Sequence, residues 1–190
     1  FCNTVASNAW GWWKITNGRV DFDFSGLAEN AYGWWKITNG QVDFSYVGYE
    51  QNGSNWWYVY GGQVCFQATD VLPGTVGGQY GWWKVCEGKV NFDDDVCENA
   101  YGWWKITTGK VDFQYTGLAQ NACGWWMIQN GHVNFGSNGL VDNGNDWWLV
   151  RNGGVDFTYN GLVDNGNGWW LIRNGYVDFN YNGLVDNGNG

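Results

Sequence analysis

The chain is poor in charge, and poorest in positive charge. Of its 190 residues 14% are charged, with 9 Lys and Arg against 18 Asp and Glu and a formal net charge of −9. Holding a phosphate backbone needs clustered Lys and Arg, so nucleic acid is excluded as a partner. Aromatic rings alone stack on bases, but no basic groove would hold the strand. No apolar run approaches the ~20 residues of a helix that crosses a bilayer, so no membrane insertion is expected. There is one Pro, one Met and one His. The five cysteines, Cys2, Cys65, Cys86, Cys97 and Cys123, form no CxxC pair, which argues against a zinc site. Neither a metal nor a cofactor is expected. No signal peptide is evident and the first residue is Phe, which reads as a mature or excised piece.

What is abundant is aromatic. The sequence holds 17 Trp, 11 Tyr and 10 Phe, with 31 Gly. Aromatic and β-branched residues between Gly and Asn turns point to an all-β chain. Adjacent Trp pairs set a period. They are Trp12-Trp13, Trp34-Trp35, Trp56-Trp57, Trp82-Trp83, Trp103-Trp104, Trp125-Trp126, Trp147-Trp148 and Trp169-Trp170, at spacings of 22, 22, 26, 21, 22, 22 and 22. A fixed period of this size is the mark of stacked supersecondary units.

One unit reads GWWKITNGRVDFDFSGLAENAY over 11–32. Asn17-Gly18 sits between two alternating apolar runs, which predicts a hairpin with a two-residue type I′ turn. Asn39-Gly40, Gly61-Gly62, Asn130-Gly131, Asn152-Gly153 and Asn174-Gly175 repeat it, and Glu87-Gly88 and Thr108-Gly109 vary it. The turn fixes the register: Thr16 faces Arg19, Ile15 faces Val20, Lys14 faces Asp21, Trp13 faces Phe22 and Trp12 faces Asp23. Alternation then puts Trp13, Ile15, Val20, Phe22 and Phe24 on a core face, and Trp12, Lys14, Asp21 and Asp23 on the other. The segment Gly26 to Asn30 reads as a connection that adds Leu27 to the core. A lone hairpin is marginal in water, so the expected fold is a β-solenoid of stacked two-stranded hairpins, about eight 22-residue repeats in a single array over 1–190. The link 67–79, with Pro73, reads as a longer loop or bend. Phe1 aligns with Phe22, and Gly190 with Gly33, so both ends cut the repeat.

The first Trp of each pair is the candidate contact residue: Trp12, Trp34, Trp56, Trp82, Trp103, Trp125, Trp147 and Trp169. A flat indole beside polar groups suits a sugar ring, with the cross-strand pairs Lys14–Asp21, Lys36–Asp43 and Lys105–Asp112 as polar arms. The alternative is that these indoles pack on the next repeat's connection, where Tyr32, Tyr80 and Tyr101 lie. The Lys position becomes Tyr58, Met127, Leu149 and Leu171 in other copies, which leaves Asp156 and Asp178 without a cation opposite. Asp142 to Asn145, Asp164 to Asn167 and Asp186 to Asn189 carry oxygen ligands. They lack the spacing and distal Glu of a calcium loop, and turn chemistry explains them equally well. His132 follows a turn with no Ser–His–Asp set around it. Asp93, Asp94 and Asp95 share a connection rather than a cleft, so no catalysis is expected. Cys86 and Cys97, in one irregular copy, are the expected disulfide pair, and Cys2 is a candidate for pairing with another chain.

The stretches GWWKITNG at 11–18 and 33–40, each followed by xVDF, resemble the short hairpin repeats of Gram-positive cell-wall-binding modules. That group includes choline-binding repeats, glucan-binding repeats and the receptor-binding repeats of large clostridial toxins. The resemblance implies a secreted or cell-surface protein whose solenoid binds a cell-wall polymer or surface glycan. In choline-binding repeats the ligand cage draws on aromatics of the second strand. Here that strand reads Val-Asp-Phe and the doublet sits on the first, so no choline cage is carried over. Two further readings stand beside the glycan-binding one. The first is an adhesin stalk or filament subunit that self-associates through the solenoid ends. The second is the receptor-binding array of a toxin-like protein.

Overall fold

The computed structural model describes residues 3–186. All of its regular structure is β, in 24 antiparallel strands. The contacts group the residues up to Asp93, with Thr108–Lys110, into one unit, and Asp94–Thr107, with the residues from Val111 on, into a second.

In the first unit the second copy shows the plan. Strand Gly26–Asn30 pairs with Gly33–Thr38, and that strand pairs with the two-residue strand Gln41–Val42. The segment read as a connection is therefore the longer hairpin's first arm, with Leu27 opposite Lys36 and Glu29 opposite Trp34. Its turn is held by Asn30, whose side-chain oxygen accepts the Tyr32 N–H at 2.9 Å. The short hairpin keeps the expected register, with Ile15 opposite Val20 and Thr16 opposite Arg19. Its turn residues Asn17 and Gly18 have φ of 53° and 81°, as a type I′ turn requires.

The register stops there. Asp21 N–H still reaches the Lys14 carbonyl at 2.9 Å, but the chain then turns, with Phe24 N–H on the Asp21 carbonyl. Trp13 pairs not with Phe22 but with Gln41 of the next copy. Phe22 is consequently 63% exposed, and the same Phe in later copies is exposed too. The buried stripe is narrower than the alternation implies. Ile37, Val42 and Trp35 form one cluster with Val5, and Trp57, Val59 and Val64 form the next, with Leu27 packed against it. The link 67–79 is not a loop. Asp70–Val76 is a strand that pairs with Gln79–Cys86 through a Gly77-Gly78 turn, with Pro73 opposite Trp82.

The second unit repeats the plan with Gly117–Asn121, Gly124–Gln129 and His132–Val133. Ile106, Ile128, Val133, Val150 and Ile172 are among its fully buried positions. In its last two copies the first arm shortens to Gly139–Asp142 and Gly161–Asp164.

Within each unit, copies are stacked by main-chain bonds at the short turn. Gly40 accepts from Lys14 N–H at 2.8 Å and donates its own N–H to the Phe24 carbonyl at 2.8 Å. Gly131 does the same with Lys105 and Tyr115, both at 2.8 Å. At Gly131 a Cβ would stand 2.5 Å from the Asp112 carbonyl oxygen, whereas at Gly18 nothing lies within 4 Å. Both glycines have φ near 80°, so Ala at either pays the left-handed cost of about 1–2 kcal/mol. Gly131→Ala adds a backbone clash. It is expected to lose roughly 3 kcal/mol or more in urea unfolding, clearly more than Gly18→Ala. Equal midpoints for the two variants would contradict the close approach.

Burial also pushes several phenols up: Tyr46, Tyr49, Tyr58 and Tyr115, with burial the largest cause in each. Tyr49 and Tyr115 donate their hydroxyls to the Leu72 and Leu118 carbonyls at 2.9 and 2.6 Å. A phenol raised above its unfolded value near 10 contributes stability that is complete below about pH 10 and is lost as pH rises through the folded value. Tyrosinate absorbance is expected to lag behind that of a denatured sample, and near-ultraviolet dichroism to collapse as the late phenols ionise. A single titration of all tyrosines near pH 10 in the folded chain would contradict it.

Candidate ligand-binding site

Neighbouring residues on a strand point to opposite sides, so the two indoles of a doublet serve different interfaces. The first Trp of one copy meets the second Trp of the next. In the first unit Trp12 and Trp35 lie 5.2 Å apart at 45°, and Trp34 and Trp57 lie 5.3 Å apart at 55°. The outward Phe completes each set edge-on. Phe44 is 6.3 Å from Trp12 and 5.8 Å from Trp35, and Phe66 is 5.7 Å from Trp34 and 5.3 Å from Trp57. The second unit has Trp103, Trp126 and Phe135 in the same arrangement, with separations of 5.2, 6.2 and 5.9 Å. Trp125 and Trp148 lie nearly parallel, 5.9 Å apart at 24°, with Phe157 5.5 Å from Trp148. A three-ring cluster therefore recurs between consecutive copies.

The second Trp is oriented by Asn. Trp35 donates its indole N–H to Asn30 at 3.0 Å, and Trp104 and Trp126 donate theirs to Asn99 and Asn121 at the same distance. Asn30 and Asn121 also donate their amides to the Val5 and Val96 carbonyls at 3.0 and 2.9 Å. One Asn thus fixes the turn, the indole and the neighbouring copy.

Trp12, Trp34, Trp56, Trp82, Trp103 and Trp125 are half-buried. Trp147 and Trp169 are 38% and 58% exposed. Trp12 also touches Tyr32, 5.9 Å away, so these indoles do pack on the next repeat. The expected Lys–Asp arms do not form. Lys36 pairs with Glu50 at 2.9 Å, and Lys105 pairs with Asp94 at 3.4 Å. Lys14 donates to the Ile15 carbonyl at 3.2 Å and lies 5.6 Å over the Phe24 ring. The aspartates are occupied by the turn that ends the short strand. Asp43 accepts from the Ser45 N–H and hydroxyl at 3.1 and 2.6 Å, and Asp112 accepts from Gln114 N–H at 3.0 Å. Asp21 precedes the same turn. Asp156 and Asp178 are not left without cations, because Arg151 and Arg173 reach them at 3.3 and 3.4 Å.

Cys86 and Cys97, the expected bridge, are not joined to each other. Cys86 ends a strand beside its turn, whereas Cys97 lies within Asp95–Asn99 opposite Trp104. Cys2 lies outside the described residues. In the Asp142 loop the side-chain oxygens serve the turn: Asp142 accepts from Gly144 at 2.8 Å and Asn143 from Asn145 at 3.0 Å. Asp164 and Asn165 do likewise. Asn187 to Asn189 lie outside the described residues. His132 stacks edge-on with Trp104 at 4.9 Å. The cluster members that the alternation assigns to the core face are the Phe side chains, which the structure leaves exposed. Their signal was a 22-residue period in step with the doublet, shared by Phe22, Phe44 and Phe66.

Among solved structures the chain is similar to two Streptococcus pneumoniae proteins. CbpJ matches at 14% identity over 93% of this chain and 59% of that one, with a TM-score of 0.38. Choline binding protein F matches at 16% identity over 90% and 58%, with a TM-score of 0.37. The chain thus spans about three-fifths of the length of those structures. No curated protein matches it in sequence. The family model for the choline-binding repeat matches five stretches, 23–43, 45–65, 114–134, 136–156 and 158–178. With more than half of its residues inside those repeats, the chain belongs to the choline-binding repeat family.

Proposed function

We propose that this chain is a non-catalytic module that holds a secreted or surface protein on a choline-bearing cell-wall polymer. The recurring cluster of two indoles and a Phe is the observation that carries this reading. A quaternary ammonium has no N–H to donate, and it is recognised through the faces of aromatic rings. Phe44 and Phe66 are half exposed, so the rim of each cluster is open to a headgroup from solvent. The net charge of −9 favours a cationic ligand. One of the similar proteins is named for binding choline, and it has been solved with a peptidoglycan analogue.

Several weak clusters on one chain add through effective concentration. Each cation–π contact contributes about 0.5–2 kcal/mol, or about 2- to 30-fold in affinity. The chain is expected to be retained on a choline-substituted resin and eluted by free choline, and a neutral tert-butyl isostere of choline should not elute it. Trp35→Leu and Trp126→Leu together should shift elution to lower choline. Undiminished retention in that double variant, or equal elution by the isostere, would defeat the proposal.

A further inference from the structure

We infer that the first unit carries a further groove, for a neutral pyranose, built around Lys14 and sharing Trp34 with the neighbouring aromatic cluster. The groove encloses about 350 Å³, within the range of small-molecule sites. Its apolar wall is Trp34 with Leu27 and Phe24, and its polar groups are Asn3, Lys14, Glu29 and Asn52.

The neighbouring copy shows why this groove is open. Lys36 is met there by Glu50, 14 residues later, at 2.9 Å. The residue 14 after Lys14 is Ala28, which lines the groove. In the second unit Lys105 is met by Asp94, 11 residues earlier, and the residue 11 before Lys14 is Asn3, whose side-chain oxygen is taken by Asn17 N–H at 2.9 Å. Lys14 therefore forms no ion pair among the described residues. It is half-buried and uses one of its three N–H donors on the Ile15 carbonyl.

A half-buried ammonium without a carboxylate is costly unless other acceptors meet it. The groove offers donors from Lys14 and Asn52, acceptors from Glu29 and Asn52, and an indole beside them. A sugar ring matches that set, with hydroxyls that both donate and accept and an apolar face for the indole. A free anion matches it less well, because the Glu29 carboxylate shares the lining.

The test uses the full chain, titrated with oligosaccharides of four N-acetylglucosamine units or four glucose units and followed by tryptophan fluorescence and calorimetry. At least one of the two is expected to bind. Ala28→Glu copies the neighbouring Lys–Glu pair and should weaken binding at least tenfold. Lys14→Met should also weaken it, which covers the case in which the first variant fails to fold. Choline-resin retention, measured on the same samples, should stay unchanged, so failure here is distinguishable from failure of the choline reading. No binding of either oligosaccharide, or binding unaltered in both variants, overturns the inference.

Discussion

Everything in either unit depends on the short-turn glycine. Its carbonyl and its N–H both bond to the preceding copy, as at Gly40 with Lys14 and Phe24, and at Gly153 with Met127 and Ser137. The backbone approaches so closely that a side chain has no room: a Cβ on Gly153 would stand 2.6 Å from the Asn134 carbonyl oxygen. The contact is made by main chain, so it survives the drift of side chains along the array. It also sets the phase between copies. Once Gly40 is seated, Trp35 has one place relative to Trp12, and Phe44 follows. The aromatic clusters are thus a consequence of how the backbones nest, and the apolar stripe seals what the turn has aligned.

This explains which parts of the fold were legible in the sequence. The Asn-Gly signals, the period and the Ile15–Val20 register depend on local chemistry, and they survive in the structure. The fate of Phe22 does not depend on local chemistry. Extending the alternation past Val20 assumes that the strand goes on, but Trp13 takes Gln41 from the next copy instead. The segment Gly26 to Asn30 differs from the expected connection for a related reason. It is short, and its turn is Ala31-Tyr32 rather than an Asn-Gly pair. The bond that makes that turn, from Tyr32 N–H to the Asn30 side chain, carries no strong sequence mark. Of the candidate residues, the first tryptophans meet the second Trp of the next copy, as at Trp12–Trp35 and Trp34–Trp57. Their partners belong to other copies, and pairing between copies cannot be read from one repeat.

The charges follow the same rule. A Lys that is nearly buried needs a partner or it destabilises the fold, and Lys36 and Lys105 find theirs on different segments, Glu50 and Asp94. Where the Lys column turns apolar at Leu149 and Leu171, the cation reappears two residues on as Arg151 and Arg173. These guanidiniums lie 4.2 and 4.9 Å from the Tyr159 and Tyr181 rings. The Thr158 hydroxyl and N–H, with Arg151 a lesser cause, hold the Asp156 carboxyl below its ordinary value. These outer pairs are half exposed and add little stability by themselves. Their effect is to keep the tyrosine ring over the repeat when the Lys that covered it is gone.

The last copies show what happens when the Asn device is spent elsewhere. Asn30 serves both its turn and the Trp35 indole. Asn143 instead accepts from two turn N–H groups, those of Asn145 and Asp146, and the Trp148 indole N–H is buried without a partner. Trp170 repeats the pattern. A buried donor left unmade costs about 1–3 kcal/mol, so something else must place this ring. Trp148 lies nearly parallel to Trp125, with Tyr176 5.7 Å away and Phe157 on its edge. Ring contacts hold it where a hydrogen bond holds Trp35. The tilt of the cluster changes with the anchor, from 45° at Trp12–Trp35 to 24° at Trp125–Trp148. A parallel pair presents a different opening to a cation than a tilted one, because the attractive region lies over the ring faces. A change of loop five residues before an indole thereby alters the shape of the cluster that the indole helps to build.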